Sequence, residues 1–124
     1  GGQVPWEEEE DEEEARAKQT IFRLLSYRMR TEAELMERLE RKGVSAGAAE
    51  AAVRRVQELG MQSDLQYAEL FARSKWRQAK WGPQRIRQAL RQRGVGAGDA
   101  AVAVDTVFGD NADRVHVDEN FEED

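Results

Sequence analysis

"LERKGVSAGAAEAAVRRV" fills residues 39–56, and "LRQRGVGAGDAAVAVDTV" fills residues 90–107, at a fixed offset of 51 positions. Half of the eighteen aligned positions are identical, including the pairs Gly43/Gly94, Val44/Val95 and Gly47/Gly98. Working outward at the same offset, Leu35 falls over Ile86 and Thr31 over Gly82, so apolar and capping positions coincide. Within each copy the apolar residues recur every three or four positions, the period of a helix rather than of a strand. A unit too small to bury its own apolar face, repeated in tandem, implies stacked helical units. The expected fold is all-α: two elongated, tandem three-helix repeats.

The helices follow from caps and stripes. A first helix is expected over 14–28, with Ala17, Ile21, Leu24 and Leu25 on one face. Thr31 and Glu34 form a capping box for a second helix, whose stripe is Leu35 and Leu39 and whose end is Gly43. A third helix, 46–59, turns Ala49, Ala52, Val53 and Val56 inward. In the second copy Ser63 and Gln66 open a helix of 64–80 with the stripe Leu65, Ala68, Ala72, Trp76 and Ala79. Gly82 and Pro83 then stop one helix and start the next, since proline suits the first helical position. Trp81 and Ile86 have the spacing of a hydrophobic staple, and Ile86, Ala89 and Leu90 are the buried side of helix 83–93. Gly94 closes that helix, and a sixth, 98–108, buries Ala101, Val104 and Val107.

Charge divides the chain differently. The formal net charge of the 124 residues is −6, yet residues 1–14 hold eight acids and no base, and residues 109–124 hold seven acids and one base. The remaining residues 15–108 carry 10 acids and 18 bases, a net charge of +8. The domain reading is therefore an acidic, disordered tail (1–14), a first repeat (15–60), a basic second repeat (61–108) and a second acidic tail (109–124). Residues 12–14 also suit the first turn of a helix, because acids favour a helix N-terminus. The tails could compete for the basic body through charge alone, or simply keep the protein in solution.

The basic excess concentrates in "RSKWRQAKWGPQRIRQALRQRG" (73–94), which has eight cations and no carboxylate. Arg73, Arg77 and Lys80 lie at i, i+4 and i+7, and Arg87 and Arg91 share the outer face of the next helix with Gln84 and Gln88. Solvated surfaces normally intersperse both signs, so single-sign clustering points to an anionic partner. The expected partner surface is Arg73, Arg77, Lys80, Arg85, Arg87, Arg91 and Arg93. Trp76 and Trp81 are read as packing residues, with base stacking on Trp81 as the alternative. Gly43 and Gly94 are read as structural.

Several function classes find no residues to carry them. The chain lacks cysteine, which excludes disulfides and thiolate metal sites and fits a reducing compartment. His116, the single histidine, sits in the acidic tail beside Asp113, Asp118 and Glu119 and is read as a solvated side chain, not a metal ligand. "GVGAG" (94–98) joins two helices, so it is not a nucleotide-binding fingerprint. Neither catalysis, nor a cofactor, nor a membrane span is expected.

These motifs together resemble one family. "SDLQYAELFARSKWRQAKWGPQRIRQALRQRGV" (63–95) is similar to the central repeat of RecX, the regulatory protein of the RecA recombinase. The family pattern of an acid, Tyr/Phe-Ala, an Arg-bearing helix, Gly-Pro, Ile, Leu and a basic residue before Gly-Val/Ile maps onto this chain throughout. It falls on Asp64, Tyr67-Ala68, Arg73, Gly82-Pro83, Ile86, Leu90 and Arg93-Gly94-Val95. "IFRLLSYRMRTEAELMERLERKGV" (21–44) resembles the first repeat, and the likeness covers about 20–108. RecX proteins usually carry a third repeat, which has no counterpart before residue 124; the chain also lacks an initiator Met, as a segment of a longer protein would. The resemblance implies docking in the groove of a RecA-type filament on DNA, spanning neighbouring protomers, and suppression of its ATP turnover and strand exchange; the chain is expected to act as a monomer. A cytoplasmic setting is expected, or an organelle interior for a plant or algal source, which the long acidic flanks would suit. The alternative from charge is a helical module that binds DNA directly, each neutralised phosphate releasing counterions.

Overall fold

In the computed structural model, residues 11–110 are described. They form six helices: α1 (Glu12–Tyr27), α2 (Glu32–Arg41), α3 (Ala46–Glu58), α4 (Asp64–Ala79), α5 (Pro83–Gln92) and α6 (Ala97–Asp110). Helix α6 begins one residue before its expected start and runs two past its expected end. The chain divides into two compact units. The first comprises residues up to Arg30 together with Glu34–Gln62, and the second comprises Thr31–Ala33 together with the residues from Ser63.

In the first unit α1 packs along α3. Its core is Ala17, Ile21, Leu24, Leu35, Leu39, Ala49, Ala52, Val53 and Val56, with Leu25 only partly buried. In the second unit α6 packs against both α4 and α5. There Ala68, Ala72, Trp76, Ile86, Leu90, Val95, Ala100, Ala103, Val104 and Val107 are buried. The expected stripes shift at their margins: Leu65, Ala89 and Ala101 are half-buried and Ala79 is exposed, while Ala100 and Ala103 are inside. Ala79 fails because it is the last residue of α4, where the chain is already leaving the helix.

Both repeats close their middle helix in the same way. Gly43 and Gly94 adopt φ of +82° and +91°, and the N–H groups of Val44 and Val95 reach back to the carbonyls of Leu39 and Leu90, each at 3.0 Å. This is the glycine-ended Schellman pattern, which satisfies carbonyls the helix would otherwise leave open. The shared feature explains why Leu, Gly and Val recur at these positions in both copies.

The expected acidic tail 1–14 is too long. Asp11 caps α1 by accepting from the Glu13 N–H at 3.1 Å, and residues 12–14 are its first turn. Glu13 does more: its two carboxylate oxygens accept from the backbone N–H and the hydroxyl of Ser45, at 2.9 and 2.7 Å. Ser45 is itself the N-cap of α3. Glu13 thus braces the start of α3 from α1, a contact invisible to charge counting. The second tail, expected from 109, likewise loses Gly109 and Asp110 to the end of α6, and the rest of both tails, His116 included, lies outside the described residues.

The Ser45 N–H holds the Glu13 pKa below its ordinary value, with the Ser45 hydroxyl and Arg16 adding to that effect. A depressed carboxylate pKa stabilises the fold above the unfolded-state pKa and loses that contribution as pH falls through the folded-state value. The unfolding midpoint of Glu13→Gln should therefore trail the parent most near neutrality. The gap should close as pH drops below the ordinary glutamate range of about 4.3. A gap independent of pH would remove the carboxylate from this account.

Thr31 also has a role beyond a local cap. It is fully buried, and its hydroxyl donates to the Arg93 carbonyl at 2.9 Å, while the Glu32 N–H donates to Asp64 Oδ1 at 2.8 Å. Glu34, expected as the other half of a capping box, holds its carboxylate 3.6 Å from the Arg28 guanidinium. Asp64 and Arg93 bring the lead-in of α2 into the second unit, which is why the boundary expected at residue 60 is not a simple cut. Ser63 caps α4 as expected, accepting from the Gln66 N–H at 3.2 Å.

Candidate functional site

The cations of 73–94 all belong to the second unit, but they do not form one uniform surface. Tyr67, Phe71 and Lys75 stand four residues apart along α4, hence on one face. Tyr67 and Phe71 stack with centroids 6.2 Å apart, and Phe71 meets Trp81 edge-on at 6.3 Å. Three cations lie over these rings: Lys75 Nζ is 4.8 Å from the Trp81 centroid, the Arg85 guanidinium carbon 4.0 Å from it, and that of Arg93 4.7 Å from Phe71. Each such contact is worth roughly 0.5–1 kcal/mol at an exposed site. Arg85 and Arg93 therefore brace an aromatic strip as well as adding charge.

Trp81 is half-buried and packs against the second core with Ile86, where the staple reading places it. Its N-cap neighbour Gly82 and the Pro83 that opens α5 are in the expected roles. Trp76 is buried and tilts against Phe108 at 5.2 Å. Tyr67 is a packing residue of the second unit, beside the buried Ala68.

Lys80 departs from expectation. The i, i+4, i+7 row extends α4 through residue 80, but the helix ends at Ala79 and Lys80 takes a left-handed conformation, φ 58° and ψ 34°. Its N–H turns back to the carbonyls of Lys75 and Trp76, and its Nζ lies 5.2 Å from the Trp76 ring. It is a helix terminator carrying a charge, so it does not continue the row of Arg73, which is half-buried, and Arg77, which is exposed.

A different set converges on the far face of α5. Gln84, Arg87, Gln88 and Arg91, spaced i, i+3, i+4 and i+7, share one side of the helix. With Ala97 and Ala100 from the first turn of α6 they line a concave surface of about 390 Å³. Ile86 and Leu90, fully buried, anchor the opposite side and hold this row outward. Among the described residues neither Arg87 nor Arg91 has a salt-bridge or hydrogen-bond partner. The sequence groups these four residues correctly; what it does not reveal is that α6 completes a hollow around them. Phe71 and Lys75 are absent from the expected site, although the four-residue spacing Tyr67–Phe71–Lys75 was there to be read.

Among the described residues, no group of three His, Cys, Asp or Glu is placed to hold a metal, and no helix is long and apolar enough to cross a membrane. The arrangement offers cationic and amide donors and no nucleophile–base pair.

Comparison with known proteins follows the two units. The family model described as RecX, first three-helix domain, matches residues 17–55, and that described as RecX, second three-helix domain, matches residues 63–104. "Regulatory protein RecX" of Deinococcus radiodurans is 45% identical over 76 residues, which is 61% of this chain and 35% of that protein. "Regulatory protein RecX" of Mycobacteroides abscessus is 32% identical over 108 residues, 87% of this chain and 53% of that protein. This chain thus spans a third to a half of the length of these curated relatives. A crystal structure of a regulatory protein RecX superposes with a TM-score of 0.72 at 30% identity, covering 77% of this chain and 48% of that one. RecX from Lactobacillus salivarius superposes at 0.73 with 18% identity, covering 90% of this chain and 77% of that one, a likeness of fold.

Proposed function

The chain belongs to the RecX family, and from that premise we propose that it is a regulatory protein that binds a RecA-type recombinase filament on DNA and inhibits its ATP turnover and strand exchange. The name of these relatives, regulatory protein, supports the regulatory part of this reading. The observation that carries the rest is the charge of the second unit. From Arg73 to Gly94 there is no carboxylate, and Arg77, Arg87 and Arg91 stand clear of the aromatic rings that engage Lys75, Lys80, Arg85 and Arg93. A nucleoprotein filament, with its phosphates and its acidic side chains, is an anionic partner of the size that such a surface suits. In this role the chain works as a monomer, inside the cytoplasm or an organelle, without a cofactor or a catalytic step of its own.

The test is recombinase ATP hydrolysis on single-stranded DNA, with DNA in excess so that competition for bare strand does not contribute. Inhibition is expected well below one copy of this chain per recombinase protomer, because capping or bridging a filament affects many subunits. Inhibition that sets in only when this chain saturates the DNA would favour direct strand binding instead.

A further inference from the structure

The two repeats share a backbone plan but differ at one place. At the offset of 51, the α5 residues Gln84, Arg87, Gln88 and Arg91 correspond to Ala33, Met36, Glu37 and Glu40 on α2. Facing them, Ala97 and Ala100 of α6 correspond to Ala46 and Ala49 of α3, unchanged. The fold is thus kept while one helix face goes from acidic to cationic. Folding does not ask for that change, since the first repeat closes its core without it.

The helix end beside this face differs too. In the first repeat an anion already sits at the start of α3: the Glu13 carboxylate accepts from Ser45 at 2.7 and 2.9 Å. The counterpart of Ser45 is Gly96, which has no side chain to cap α6, and the counterpart of Glu13 is Asp64, whose Oδ1 accepts from the Glu32 N–H. Asp99, in the first turn of α6, is exposed and is not part of the lining of the hollow. The open N–H groups and positive dipole end of α6 therefore adjoin two guanidiniums with no carboxylate partner among the described residues.

We propose that this hollow of α5 and α6 is a seat for the backbone phosphates of a DNA strand. Arg87 and Arg91 supply charge-assisted hydrogen bonds, Gln84 and Gln88 supply neutral donors, and the first turn of α6 supplies backbone N–H groups. A single carboxylate takes one bidentate arginine. The row from Gln84 to Arg91 instead runs about 10 Å along the helix, at 1.5 Å per residue, long enough to meet more than one phosphate of a strand in succession. Small Ala97 and Ala100 leave room for the strand to approach. The inference rests on the reading of the chain as a filament regulator, and it assigns the part of that partner which this surface takes.

The experiment uses the full chain, a labelled oligothymidylate and no recombinase, with affinity measured over a range of KCl. Arg87→Gln/Arg91→Gln should weaken binding at low salt at least about tenfold and flatten the slope of log affinity on log salt by about 1.4, roughly 0.7 for each single-strand phosphate that is no longer neutralised. Arg54→Gln/Arg55→Gln, an equal charge change on exposed residues of α3, should leave the slope close to that of the parent. Gly96→Asp provides a variant that caps α6 and so favours folding, yet puts a carboxylate beside the seat; it too should bind the strand more weakly. Equal losses in the two arginine pairs would reduce the effect to net charge and overturn the seat. So would a parent that does not bind the oligonucleotide at low salt. Unchanged DNA binding by Arg87→Gln/Arg91→Gln, with lost inhibition of the recombinase, would assign the hollow to an acidic protein surface and overturn it as well. Site-dependent DNA binding by a parent that never inhibits recombinase would sustain the seat and remove the filament reading.

Discussion

Replacing Arg77, Arg87 and Arg91 together by glutamate is expected to leave the chain fully helical and to abolish its inhibition of recombinase ATP turnover. The three side chains stand on outward faces of α4 and α5, away from the buried Trp76, Ile86 and Leu90; the changes at the exposed Arg77 and Arg91 should each alter stability by no more than about 0.5 kcal/mol, and that at the half-buried Arg87 by about 1 kcal/mol. The cations that brace Phe71, Trp76 and Trp81 are left in place, and the aromatic strip survives. Against an anionic partner the reversal changes three attractions into three repulsions. Like-charge juxtaposition at an interface costs several kcal/mol, or more than a hundredfold in the concentration needed for half-inhibition. Circular dichroism and ATP hydrolysis on the same preparation check both halves. A helical variant that inhibits as well as the parent would show that another surface meets the filament.

The second large effect is structural, and it contrasts two residues that the repeat makes equivalent. Gly43→Ala should cost about 1 kcal/mol, the ordinary penalty for a side chain at positive φ, because a Cβ there meets nothing within 4 Å. Gly94→Ala should cost on the order of 3 kcal/mol or more, because its Cβ would overlap the Ala33 Cβ as well as sit at positive φ. For a domain of this size that corresponds to a fall of more than about 10 °C in the unfolding midpoint. The overlap pushes Ala33 off the turn where Thr31 bonds to the Arg93 carbonyl, so the loss propagates into a buried hydrogen bond. Ala33→Gly should rescue much of the Gly94→Ala loss and none of the Gly43→Ala loss. Equal costs for the two glycines would mean that the approach of residue 33 to residue 94 has no energetic weight.

The helical class, the two repeats, the glycine ends and most of the buried stripe were legible in the sequence by itself. Each is a local property: a period of three to four, a proline that opens a helix, a glycine that admits positive φ, a serine whose oxygen caps the next turn. The single-sign charge of 73–94 was equally legible, because composition needs no coordinates. The tertiary structure alone decided which of those cations act together. Arg85 and Arg93 point to Trp81 and Phe71, Lys80 leaves its helix through a left-handed residue, and Arg87 and Arg91 meet the first turn of α6. It also recruited Glu13 from what reads as a solvated acidic run to hold Ser45, and it used Thr31 and Asp64 across intervals of 62 and 32 residues. Helical periodicity ranks residues by the face they share on one helix. It contains no term for a carboxylate, a ring or a helix end that another segment brings to that face, and such neighbours determine whether a charge braces the fold or remains available to a partner.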